Sequence, residues 1–239
     1  MGFSFRAAGH VQGDYVDLVR DHATEGMIVA EIGTYDGITT CAALPIVKSF
    51  NGKYIAIDWF LGTKNPDWEN VDHPHYYDPD QGDATYNRFV NNIKEGGWEE
   101  MTTVLRSDSA EAASQIPDRS LDICFIDGAH RYSKVSKDIE LYLPKVKDGG
   151  LIVFDDCEKH GILRSEPDWF ERTKAESGGQ VNGDIPEGDG HKGVHWGVVQ
   201  AVCDVFDHDI ARKGGATAYK VLDDKTATNE RYLEIRKLT

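Results

Sequence analysis

Short apolar runs alternate with stretches patterned at helical spacing along most of the chain. "MIVAEIG" (27–33), "KYIAID" (53–58), "MTTVLRSDS" (101–109), "LDICFID" (121–127) and "GGLIVFDD" (149–156) have the length and residue types of strands. Helical patterns lie between them. Residues 37–49 read as a helix that Pro45 must kink or shorten. "ATYNRFVNNIKEGG" (84–97) sets Tyr86, Phe89, Val90 and Ile93 on one face and closes on glycines. "SKVSKDIELYLPKV" (133–146) aligns Val135, Ile139, Tyr142 and Leu143, and "VHWGVVQAVCDVF" (194–206) aligns Val194, Val198, Val202 and Val205. Residues 1–24 form an N-terminal helical segment, and two final strands are expected near 208–213 and 216–222.

Strands alternating with helices predict an α/β fold: a doubly wound, mostly parallel sheet with helices on both faces. Strands covered on both faces read as continuous apolar runs rather than alternating ones, and "MIVA" and "LIVF" read that way. The whole of 1–239 fits one domain. In this architecture ligands bind beyond the carboxyl ends of the strands. Acidic residues collect there: Asp58 ends the second run, Asp108 the third, Asp127 the fourth, Asp155 and Asp156 the fifth. Two segments are too long for ordinary connections, 59–83 and 157–193, and long connections are usually functional. Their aromatic and polar residues suggest walls or lids for an acceptor: Trp68, Tyr76 and Tyr77 in the first, His160 and Trp169 in the second, and His195 just beyond it.

Composition narrows the partners. The formal charge of −15 opposes binding to nucleic acid or to an anionic membrane. No apolar run approaches the length of a membrane span, and "MGFSFRAAGHVQGDY" has no apolar core of a secretory signal. Cys41, Cys124, Cys157 and Cys203 form no C-x-x-C pair, as expected of reduced thiols in a cytoplasmic protein. The expected partner is a small-molecule or glycan acceptor; composition leaves a homo-oligomer open.

The candidate chemistry lies in the strand-end motifs. "EIGTYDG" offers Glu31, Gly33, Thr34, Tyr35 and Gly37 in a glycine-containing turn that is not G-x-G-x-x-G. Asp58, followed by Trp59, stands where an acid can take the two hydroxyls of a ribose. Asp108 and Ser109 close the third run. In this order the motifs resemble those of the class I S-adenosylmethionine-dependent methyltransferases, over nearly the whole chain from about residue 25. The stretch "FIDGAHRYSKVSKDIELYLPKVKDGGLIVFDDC" resembles, within that superfamily, the metal-dependent O-methyltransferases of sugars and natural products, the family 24 or macrocin O-methyltransferase-like branch.

The resemblance implies a Rossmann-like seven-stranded sheet with a terminal antiparallel strand. It implies S-adenosylmethionine at Glu31, Gly33, Thr34, Tyr35, Gly37, Asp58, Trp59, Asp108, Ser109 and Asp127. It implies Mg²⁺, or Mn²⁺ or Ca²⁺, at Asp127, Asp155 and Asp156, and His130 as general base. Some members use an Asp two residues after the first metal ligand, but Ala129 stands there. The chemistry agrees, because carboxylates at the ends of neighbouring strands converge and offer hard oxygen donors. Three other readings compete: a catechol-type small-molecule O-methyltransferase, an NAD-binding oxidoreductase and a non-catalytic module that binds the methyl donor.

Overall fold

A computed structural model describes residues 13–62, 82–157, 168, 196–206, 217–221 and 232–235. Its elements, in chain order, are α1 (Gly13–Asp21), β1 (Ile28–Ile32), α2 (Ile38–Ser49), β2 (Lys53–Ile57), α3 (Gly82–Gly96), β3 (Thr102–Leu105) and α4 (Ser109–Ala113). There follow β4 (Leu121–Ile126), α5 (Tyr132–Tyr142), β5 (Val146–Phe154), α6 (Trp196–Phe206), β6 (Thr217–Val221) and β7 (Tyr232–Ile235).

All seven strands form one sheet in the order β3-β2-β1-β4-β5-β6-β7. The first five are parallel. β6 pairs antiparallel with β5, and β7 antiparallel with β6. The expected seven-stranded, mostly parallel sheet with antiparallel pairing at its C-terminal end is therefore present. The reversed strand is the sixth, and β7 returns to the direction of the first five. The strand expected at 216–222 is β6; the one expected at 208–213 lies outside the described residues. Tyr232–Ile235 is a strand that the hydrophobic pattern did not announce.

Side chains alternate between two cores. Ile123 and Phe125 of β4, with Leu151 and Val153 of β5, face α1 and α2. Cys124 and Ile126, with Ile152 and Phe154, face α5 and α6. Burial on both faces explains the unbroken apolar runs. Pro45 does not shorten α2, which continues to Ser49. The ring removes one backbone bond, while Leu44 and Val47 on either side are fully buried and hold the last turn to the core.

β1 has β2 on one side and β4 on the other. The chain thus winds away from this pair in both directions, and the crevice beyond their carboxyl ends is the ligand position of doubly wound sheets. Among the described residues no helix is long and apolar enough to cross a membrane.

Candidate active site

The backbone ladder runs one residue past each central strand. Gly33 N–H donates to Ile57 O at 2.9 Å, Asp127 N–H to Ile32 O at 2.8 Å and Asp155 N–H to Ile126 O at 3.0 Å. These bonds fix where each strand-end acid starts. Gly33 has φ +88°, and a Cβ there would lie 2.0 Å from the Asp127 carbonyl oxygen. Only glycine lets the turn after β1 sit against the turn after β4.

The turn of residues 33–37 is held from two sides. Below it is Asp58. Its carboxylate accepts from Tyr35 N–H at 2.8 Å and Phe60 N–H at 2.6 Å, and also from the Thr34 amide. Burial raises the Asp58 carboxyl, against the pull of these three donors. A carboxylate has about four acceptor positions, and these amides take up three of them. Above the turn is α3. Arg88 Nε donates to Asp36 Oδ1 at 3.0 Å, and Asn92 Nδ2 to Asp36 O at 2.8 Å. The Thr34 hydroxyl is buried and lacks a hydrogen-bond partner.

Glu31 faces the core. Its Oε2 accepts from Thr40 Oγ1 at 2.5 Å and Tyr54 Oη at 2.6 Å, and Tyr54 meets Tyr15 Oη of α1 at 2.9 Å. Burial raises Glu31 to about 8, opposed by these two donors and supported by the charges of Asp127 and Asp58. The structure thus occupies Glu31 with protein donors. Asp108 caps α4 by accepting from Ala110 N–H at 2.9 Å. The third run therefore ends at Leu105 rather than 109, because the Asp108-x-x-Glu111 spacing starts a helix. Ser109 Oγ donates to Asp138 Oδ1 at 2.6 Å. Trp59 Nε1 donates to Gly62 O at 2.7 Å.

Beyond β4 and β5 the acids meet one another. Asp127, His130 and Asp156 each place a ligand atom within 4.8 Å of the others'. His130 Nε2 is 3.1 Å from Asp156 Oδ2 and 4.0 Å from Asp127 Oδ1. Asp156 takes φ +53°, a left-handed conformation that turns its side chain back over the strand end. Asp155 stands beside this trio. It is buried and shares a hydrogen bond with Asp127. Burial, then the charges of Asp127 and Asp156, push its carboxyl up to about 9, with His130 opposing. Three carboxyls this close cannot all ionise without added positive charge. That is the electrostatic fit of a divalent-cation site, with hard oxygen donors and one imidazole.

The expected substrate residues Trp68, Tyr76, Tyr77, His160, Trp169 and His195 lie outside the described residues. The sequence reading missed Arg88 and Asn92, and Tyr15 and Tyr54, all far from the motifs they support. It also missed Asp138 and Gly197. Asp138 sits on the apolar face of α5 and is pushed up to about 6, mainly by burial. Its place between Val135 and Tyr142 was the available signal. A Cβ on Gly197 would lie 2.1 Å from His130 O, so α6 packs directly on the His130 turn. A glycine inside an otherwise apolar helix pattern marks such an approach.

Comparison with known proteins completes the picture. An uncharacterised protein of Sinorhizobium fredii, y4gI, is 26% identical over 143 residues, 59% of this chain and 14% of that protein. An uncharacterised protein of Acanthamoeba polyphaga mimivirus, R132, is 50% identical over 40 residues, 17% of this chain and 18% of that protein. The chain thus spans less than a fifth of the length of these curated relatives. Among solved structures, the SAH-bound methyltransferase PaMTH1 of Podospora anserina aligns with a TM-score of 0.54 at 12% identity, over 87% of this chain and 76% of that one. A proposed caffeoyl-CoA O-methyltransferase of Staphylococcus aureus aligns with a TM-score of 0.50 at 16% identity, over 81% and 71%. At such identities these likenesses speak for the fold. The family model described as a methyltransferase domain matches residues 30–157, more than half of the sequence and the span from within β1 to the acid cluster, and the chain belongs to that methyltransferase family.

Proposed function

We propose that this protein moves a methyl group from S-adenosylmethionine to a hydroxyl of a sugar, glycan or glycosylated small molecule, assisted by a divalent cation. The observation that carries this reading is the convergence of Asp127, His130 and Asp156, with Asp155 beside them, one backbone contact away from the Gly33 turn. The turn of residues 33–37 and Asp58 would seat the methyl donor. Asp127, Asp155 and Asp156 would hold Mg²⁺, which when bound lowers the pKa of a coordinated hydroxyl.

The protein's own groups do the rest. His130, beside the acids, would take the acceptor's proton as the general base. Asp156, 3.1 Å away, stabilises the imidazolium that results. The methyl group passes in line from donor sulfur to acceptor oxygen, and the two seats supply proximity. A second arrangement is favoured by that same short distance: His130 as a further cation ligand, with the base elsewhere.

Chelation tests the central claim. EDTA should abolish methyl transfer and Mg²⁺ restore it, while calorimetry shows S-adenosylhomocysteine still binding. Full activity in EDTA would reduce the acid cluster to a structural feature. A panel of glycosides and catechols then separates the sugar acceptor from the catechol alternative.

A further inference from the structure

Arg88 is remote from every strand-end motif, yet three groups converge on it. Its Nε reaches Asp36 Oδ1 at 3.0 Å and its terminal nitrogen reaches Thr85 Oγ1 at 3.0 Å. The Tyr35 side chain also hydrogen-bonds to it. Asp36 has 2% of its side chain exposed, whereas Arg88 has 43%. A buried carboxylate in the middle of the turn is therefore neutralised by a guanidinium reaching in from the surface of α3.

The rest of that helix face serves the same turn. Asn92 donates to the Asp36 carbonyl at 2.8 Å. A Cβ on Gly37 would lie 2.6 Å from the Phe89 ring. Residues 85, 88, 89 and 92 share one face of a helix. The turn needs such support, because Gly33, Tyr35 and Gly37 all have positive φ. A non-glycine residue in that region is costly unless its surroundings fix it.

We infer that Arg88 is a positioning residue for methyl-donor binding: with Asp36 it locks the strained turn of residues 33–37 in its binding shape. The inference rests on the proposed donor seat. No atom of Arg88 needs to touch the donor. The Asp58 amide contacts fix the turn from below and Arg88 fixes it from above, so loss of either loosens the same backbone.

Calorimetry on the full chain tests this with S-adenosylhomocysteine and with 5′-methylthioadenosine, which lacks the amino-acid tail. Arg88→Gln should weaken both ligands about 10- to 100-fold, the scale of a lost charge-assisted hydrogen bond. Arg88→Lys should recover part of the loss. Asp36→Asn in the Arg88→Gln background should add little, because the two act as a unit. Asp83→Asn removes the ion pair of Asp83 with Arg106 at the exposed start of α3 and should leave both affinities unchanged. Unaltered affinities in Arg88→Gln overturn the inference while the donor seat stands. A loss confined to S-adenosylhomocysteine overturns it too, since Arg88 would then be a direct ligand of the tail carboxylate. An equal loss in Asp83→Asn would mean general damage to α3, also against it. Wild-type protein that binds neither compound removes the donor seat and the inference together.

Discussion

The two acid-bearing ends of this sheet are built on opposite principles. At β1 and β2, Glu31 is buried and Asp58 half-buried, and the protein supplies each with its own donors: two hydroxyls for Glu31 and three backbone amides for Asp58. At β4 and β5, Asp127, Asp155 and Asp156 face one another, with the His130 imidazole among them. The first end is electrostatically self-sufficient and can be held rigid before any ligand arrives. Among the described residues the second is short of positive charge, which the proposed cation would supply. The proposed transfer would use both kinds: a preorganised seat for the donor and a cation-seeking one for the acceptor.

The sharpest way to separate the two ends is His130→Ala. It should lower turnover about 10²- to 10⁴-fold, the usual scale of a lost general base. S-adenosylhomocysteine affinity, measured by calorimetry, should not change. If Mg²⁺ affinity falls as well, His130 belongs to the ligand set. Asp58→Ala attacks the self-sufficient end and should cost about 1–3 kcal/mol of donor binding, because three amides lose their acceptor. The Mg²⁺ response of the variant should stay that of the wild type; a changed response would show the two ends to be one coupled unit.

A third effect, on stability rather than on binding or turnover, concerns Glu31. Folded, it keeps its proton up to about pH 8; its ordinary value is 4.5. Between those limits the folded state binds more protons than the unfolded one, so its contribution to stability falls as pH rises through that window and is constant above it. Glu31→Gln keeps an acceptor for Thr40 and Tyr54 but cannot ionise. Denaturant titrations should therefore show a flatter pH dependence, by at most about 1.4 kcal/mol per pH unit. A slope equal to the wild type's would mean that Glu31 is not the group responsible.

These contrasts also explain what could be read in advance. Apolar runs ending in acid identified the strands and the edge where their acids gather, because burial on both faces writes itself as unbroken hydrophobicity and the strand ends interrupt it with charge. The sequence placed Asp127, Asp155 and Asp156 together because two neighbouring strands end level; that His130 rather than Asp155 joins Asp127 and Asp156 in the closest trio is a detail of the turns. What stayed hidden was support across long sequence distances. Arg88 is 52 residues from Asp36, and Tyr54 is 23 from Glu31. Neither pair leaves a periodic trace, since each residue alone suits an ordinary helix or strand. β7 was missed because "YLEI" is too short and too polar to stand out from its surroundings.

The contact between Gly33 and the Asp127 carbonyl works as a gauge block between the two ends. It sets their separation with backbone on both sides: a glycine with no side chain and a carbonyl that every residue possesses. Truncation scanning, which reads importance from what a side chain loses, would return nothing at position 33 and would credit position 127 only with its carboxylate. The spacing of the two strand-end turns is thus invisible to subtraction and shows itself only to addition, when one methyl group is placed on Gly33.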